Sequence, residues 1–186
     1  MKIDSKIIAA LKPCKDRFDN YVDNYGDTTF SLEDFILLDK ITYDDKVWVV
    51  TRLFSREQNA KWSLLCASSI LSIFESKYPD DKRPRKALEA AELYLRHPTE
   101  ENRKAAKDAA DTAADAAIYS AADADYSAAY FAASDAAYAA YSAAKAAANS
   151  AAAVDAAYSA NTATATTEQQ EVNLIFMAEC AKESKI

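Results

Sequence analysis

A single glycine in 186 residues, with only four prolines, leaves almost no material for tight β-hairpin turns, which need residues at ease with positive φ. The scarcity argues against β architecture and leaves an all-α fold as the expectation. Gly26 as the sole glycine also excludes a glycine-rich phosphate-binding loop. One histidine, His97, leaves histidine-based metal triads and Ser-His-Asp arrangements without material. It stands beside Pro98, where a helix C-terminal cap is the expected role. Paired carboxylates such as Asp44 with Asp45, or Asp80 with Asp81, are neighbours in sequence and are expected to point apart on a helix. The expectation is a non-enzymatic protein without metal or cofactor.

The three cysteines, Cys14, Cys66 and Cys180, are widely spaced and odd in number, which favours buried free thiols in a reducing compartment over disulfides. The opening MKIDSKIIAALKPCK lacks an apolar core of signal-peptide length, and no other stretch is both long and free of charge. A soluble, cytoplasmic protein with no membrane partner is expected.

Positive charge is in short supply too. The net charge of −7 comes almost wholly from the C-terminal half: residues 1–104 balance to about zero, residues 105–160 carry about −5 and the remainder about −2. Clustered Lys and Arg are what bind phosphate backbones, so direct nucleic-acid binding is not expected.

What the sequence does contain is helix. Serines and threonines followed three residues later by an acid or amide mark five starts: Ser31 with Asp34, Thr42 with Asp45, Ser55 with Gln58, Thr99 with Asn102 and Thr167 with Gln170. Apolar residues between them recur at helical spacing, as in Phe18, Tyr21, Val22 and Tyr25, or Trp62, Leu65, Cys66, Ser69, Ile70, Ile73 and Phe74. These signals predict helices at about 3–11, 14–25, 31–38, 43–54, 56–77 and 84–96, with Pro84 suited to the first helical position. The chain then divides into a short-helix part (1–104), an Ala-rich tract (105–160), a Thr-rich linker (161–167) and a last helix of about 168–182 within 168–186.

About half of the tract from Ala105 to Ala160 is alanine, with no Gly or Pro to interrupt it. One unbroken helix of that length would run about 80 Å, longer than a compact domain of this size is wide, so a break is expected, best placed at Asn149–Ser150. At 100° per residue the tract has two sides. Ala121, Ala128, Ala132, Ala136, Ala139 and Ala143 gather on one, suited to close helix packing. Tyr119, Asp123, Tyr126, Tyr130 and Tyr141 gather on the other, while Asp125, Asp135 and Tyr138 break the pattern. Together with Asp115 this second side is the candidate protein-binding surface, since tyrosine favours interfaces and carboxylates steer basic partners.

The segment from Trp62 to Ala117, centred on YPDDKRPRKALEAAELYL (Tyr78 to Leu95) and preceded upstream by DDKVWVVTRL, resembles the immunity proteins of bacterial polymorphic toxin systems, the immunity-five-like family. The resemblance implies a protein that neutralises a toxin by occlusion. Relatives in phage genomes imply a role against host defence. Within the motif, Asp80, Asp81, Arg83, Pro84 and Arg85 surround a helix start and are expected to form a structural corner between the helices at 56–77 and 84–96. An acidic nucleic-acid mimic and a homo-oligomeric helical scaffold closing on its Ala faces are the alternative readings.

Overall fold

A computed structural model describes residues 1–121, Ser134, Tyr138 and 167–182 of the chain; side chains are described to residue 117, at Ser134 and Tyr138, and again from residue 168. The architecture is an all-α bundle. Eight helices are found among the described residues: α1 (Ser5–Ala10), α2 (Lys15–Tyr25), α3 (Leu32–Ile36), α4 (Tyr43–Leu53), α5 (Arg56–Lys77), α6 (Arg83–Arg96), α7 (Glu100–Ala121) and α8 (Thr167–Lys182). One antiparallel ribbon accompanies them, β1 (Lys2–Ile3) against β2 (Phe30–Ser31), with Lys2 opposite Ser31 and Ile3 opposite Phe30. Its strands are joined through two helices, so the pairing needs no tight turn. Glycine scarcity therefore does not exclude it.

Most helix starts sit where the capping residues place them. Ser31 and Thr42 accept the backbone N–H of Asp34 and Asp45 at 3.0 and 3.2 Å. Ser55 and Gln58 form the full reciprocal box, Gln58 N–H to Ser55 at 3.2 Å and Ser55 N–H to Gln58 Oε1 at 2.9 Å. Thr99 accepts from Asn102 N–H at 3.2 Å, so α7 begins at Glu100 and the helix is under way before the alanine run. Helix α8 opens at Thr167 itself, one position inside the expected cap. The sole glycine ends α2 at φ 55° and ψ −132°, a conformation side chains resist.

Helix α5 is the axis of the bundle. Ala60, Ala67, Leu71 and Phe74 are buried on one side and Trp62 and Cys66 on nearly the opposite side, at about 100° per residue. The first side meets α6 and α7, where Ala60 joins Ala87, Ala91, Tyr94, Ala106, Ala110 and Ala113, and Phe74 meets Ala116 and Ala117. The second faces α4 and α8, where Trp62 and Cys66 share a core with Ile3, Tyr21, Phe35, Val50, Met177 and Cys180. The expected stripe through Ile73 held only in part, for Ile73 is 42% exposed and Val22 on α2 is 38% exposed. Small residues hid the second buried face.

Alanine's inward role is clear over α7. Ala106, Ala110, Ala113 and Ala117 follow one another at three- and four-residue intervals and are buried, while Lys104, Lys107, Asp108, Thr112 and Asp115 on the other side are exposed. The expected break at Asn149–Ser150, the linker residues 161–166 and the two-sided pattern beyond residue 121 lie outside the described residues. Tyr138 is helical and 42% exposed.

The seam makes a sharp prediction. Ala110→Leu forces three extra carbons into a filled helix–helix contact and should lower stability by about 1–3 kcal/mol, whereas Ala105→Leu on the exposed side of the same helix should change it by less than about 0.5 kcal/mol. Urea unfolding followed by circular dichroism separates the two, and equal midpoints would overturn the packing assignment.

Candidate functional site

Two surface features bear on function, a pocket near the N-terminus and the outward side of α7. The pocket, of about 500 Å³, lies where α2 leans on α4. Its apolar wall comes from Ile8, Phe18, Tyr21, Phe35, Ile41 and Val49, and its border from Cys14, Arg17, Asp44, Asp45, Trp48 and Arg52. Local sequence explains the arrangement. Arg17, Phe18 and Tyr21 fall on one face of α2, while Asp44, Asp45, Trp48, Val49 and Arg52 fall at spacings of four on α4. Cross-connections hold α2 in place: Tyr25 donates to Asp39 at 3.0 Å and accepts from Lys40 N–H at 2.8 Å, and Asn20 donates to the Lys40 carbonyl at 2.9 Å.

Charges at the border are largely matched to one another. Arg17 pairs with Asp45 at 3.1 Å, and Asp45 also accepts from the Thr42 hydroxyl at 2.7 Å. The Arg52 guanidinium lies 4.1 Å from the centre of a Trp48 ring and donates to the Trp48 carbonyl at 3.1 Å, a cation–π stack tied down by a hydrogen bond. Asp44 is exposed and has no partner among the described residues. The two acids expected to point apart thus border one pocket in different states, Asp45 committed and Asp44 open.

Tyr21 is 3% exposed, and its hydroxyl finds no hydrogen-bond partner among the described residues. Burial pushes its phenol above the ordinary value, with the Asp4 carboxylate adding to the effect. Its ring is well used, 5.7 Å from that of Tyr25 and 6.3 Å from that of Phe35.

Cys14 corrects the expectation of three buried thiols. Cys66 and Cys180 are buried, but Cys14 is exposed, because it caps the N-terminus of α2 at the pocket border rather than lying on an apolar helix face. Among the described residues no group of three or more His, Cys, Asp or Glu is placed to hold a metal ion, and no helix is long and apolar enough to cross a membrane. His97 is the C-terminal cap residue of α6, its N–H bonded to the Leu93 carbonyl at 2.9 Å.

Of the predicted binding residues, Asp115 is exposed on α7. Tyr119 lies in that helix with its side chain outside the described residues, as Asp123, Tyr126, Tyr130 and Tyr141 lie outside them altogether. The outward side of α7 also carries Asp108, exposed, and Asp111, which Lys107 pairs at 2.9 Å.

The motif turn joins α5 to α6. Arg83 makes a two-pronged contact with Asp81, at 2.9 and 2.6 Å, and Asp81 also accepts the Arg83 backbone N–H at 3.1 Å, closing the start of α6. Arg85 reaches back to Glu75 on α5 at 2.6 Å. Pro84 is buried as the second helical residue and Asp80 is exposed. Glu75 was not foreseen. Its spacing of ten from Arg85 gives no helical signal, since the pair spans a turn.

An all-α bundle with an apolar, charge-bordered pocket and an acidic helix face defines the class of protein at hand. The chain belongs to the family DUF6931, a family of unknown function, whose model matches residues 36–179. No curated protein and no solved structure matches it. The match begins at the end of α3, so it includes the α4 side of the pocket and leaves out the α2 side.

Two predictions follow from this geometry. Tyr21→Phe removes a buried hydroxyl with no partner among the described residues, so stability should stay level or rise by up to about 1 kcal/mol, and a clear loss on urea unfolding would mean that the hydroxyl is bonded. Hydrogen bonds from Arg85 hold the Glu75 carboxyl below its ordinary value of 4.5. The unfolded chain therefore takes up that proton more readily than the folded one, and the stabilisation is complete above about pH 5 and fades as pH falls through the lower folded value. The stability gap between wild type and Glu75→Gln, at most about 1 kcal/mol for so exposed a pair, should be constant near pH 7 and close toward pH 3.

Proposed function

We propose that the protein is a non-enzymatic binding protein of the immunity or anti-defence type, which neutralises a toxin or host-defence protein by covering it. The observation that carries this reading is the sidedness of α7. Its alanines are spent on α5 and α6, which leaves Asp108 and Asp115 facing outward at the start of the acidic tract. An outward carboxylate row steers a basic partner and speeds its docking. The resemblance of the segment from Trp62 to Ala117 to immunity proteins supports the same reading. So does the border of the pocket, where Arg17 and Asp45 satisfy each other rather than standing ready to exchange protons.

The alternatives draw less support. A nucleic-acid mimic needs unpaired carboxylates at close intervals, and on α7 Lys107 neutralises Asp111 between Asp108 and Asp115. A scaffold that self-associates through its Ala side finds that side already occupied over α7 by helices of the same chain.

Affinity capture from the encoding organism, with wild type and with an Asp115→Ala, Asp123→Ala, Tyr126→Ala triple variant, tests the proposal. Wild type should retain a stoichiometric protein partner, and the variant should lose it by about tenfold or more in affinity while unfolding at the same temperature. Full retention by the folded variant would remove this surface from the interface, and DNA competition with a steep salt dependence would favour the mimic instead.

A further inference from the structure

We propose that the pocket between α2 and α4 binds a small uncharged molecule with an aromatic or fused-ring body. The inference adds a ligand site built on other elements of the chain and does not rest on the protein-binding reading of α7. A cavity of about 500 Å³ falls in the range of small-molecule sites. Its floor is core. Ile8, Tyr21, Phe35, Ile41 and Val49 are each no more than 7% exposed and belong to the cluster around Trp62, so packing fixes the surface a ligand meets before it arrives. Phe18 on α2 and Trp48 on α4, both half-buried against the same cluster, add rings at the sides. Offset and edge-on contacts with those rings favour an aromatic ligand beyond what burial alone releases.

The border decides the charge of what enters. It carries Arg17 and Arg52 against Asp44 and Asp45, two charges of each sign, so their formal sum is zero and favours neither an anion nor a cation. Arg17 pairs with Asp45 at 3.1 Å, and Arg52 is stacked 4.1 Å from a Trp48 ring centre and bonded to the Trp48 carbonyl. Below the border the wall holds no charged side chain, so an ionic group carried down to it would lose its water without gaining a counter-ion. Ring surface is what this site rewards.

Three probes of one shape test this on the full chain: 2-naphthamide, which is uncharged, 2-naphthoate, an anion, and 2-naphthylmethylammonium, a cation. Amide resonances report where each binds, and alkylation by iodoacetamide reports on the mouth, since Cys14 borders the pocket as an exposed thiol while Cys66 and Cys180 are buried. 2-Naphthamide should shift resonances of α2 and α4 and slow Cys14 alkylation, and each ion should bind at least about fivefold more weakly. Phe18→Leu keeps apolar bulk and removes one ring; it should weaken 2-naphthamide by about two- to tenfold, the worth of an aromatic contact. A second perturbation needs no altered chain to fold: N-ethylmaleimide attached to Cys14 of the folded wild type crowds the mouth and should weaken 2-naphthamide as well.

The proposal is overturned if 2-naphthamide neither shifts α2 and α4 nor protects Cys14 up to its solubility limit, or if either ion binds as tightly as the amide. Wild-type affinity in both the Phe18→Leu chain and the Cys14 adduct overturns it too, and so do shifts confined to other helices, which would place the ligand elsewhere.

Discussion

Burial of α5 on two opposite sides is the constraint on which the rest of the bundle depends. Trp62 is fully buried on one side, its indole N–H bonded to the Asn173 carbonyl at 2.9 Å, and truncating so large a buried ring costs about 3–5 kcal/mol in comparable cores. That bond joins residues far apart in the chain, so α8 is held to the same helix that seats the alanine seam. Side-chain bonds extend the hold: Gln58 donates to the Cys180 carbonyl at 3.0 Å, Gln169 to Ser69 at 2.9 Å and Asn173 to the Tyr43 hydroxyl at 3.0 Å. Alanine on the other side lets α6 and α7 approach closely. A bulky residue there would push α7 outward and strain the grip on α8 from behind.

Much of this was legible in the sequence where the signal is local. Ser55 with Gln58 marks the start of α5 because the two side chains and two backbone N–H groups satisfy one another within a single turn. Gly26 marks the end of α2 because of its positive φ. Where structure depends on contacts between distant segments, local signals fall silent. The face of α5 that meets α6 and α7 includes Ala60 and Ala67, too small to register in an apolar stripe, yet both are almost wholly buried because α6 and α7 also present alanine. Asn59, Ser63 and Thr51 are buried as well, and a polar residue on a helix reads as a surface residue until its neighbours are known.

The candidate site divides in the same way. The corner at Asp81, Arg83 and Pro84 was legible because its acid, base and proline are adjacent, whereas Glu75 became its partner only once the turn folded back. The pocket was not legible, since its residues come from five segments and none carries a motif of its own. Its traces were Asp44, Trp48 and Arg52 at intervals of four, one face of one helix that looks like an ordinary amphipathic pattern until α2 is laid across it. Cys14 was misread for a related reason. Its neighbours Lys12, Lys15 and Asp16 are charged, and a helix begins at the next residue, so the thiol stands at a helix end rather than on a buried face.

The family match sharpens what the pocket is. It begins at Ile36, so the matched region supplies Ile41, Asp44, Trp48 and Val49, while Cys14, Arg17, Phe18 and Tyr21 come from the segment before it. Tyr21 and Phe35 are buried with their ring centroids 6.3 Å apart, and Val49 is 4% exposed. A chain consisting of the matched region alone would present Val49 and Trp48 to water, an apolar strip beside two carboxylates. The N-terminal helices thus turn a face into a cavity. They also bring Arg17 to Asp45, pairing two of the four charges at the border and leaving Asp44 and Arg52 as the others. Pocket and bundle therefore share one core, with Tyr21, Phe35, Ile41 and Val49 in the same cluster as Trp62, while the alanine seam of α5, α6 and α7 draws on none of residues 8–52. Substitution among residues 8–52 can change what the pocket accepts without touching that seam.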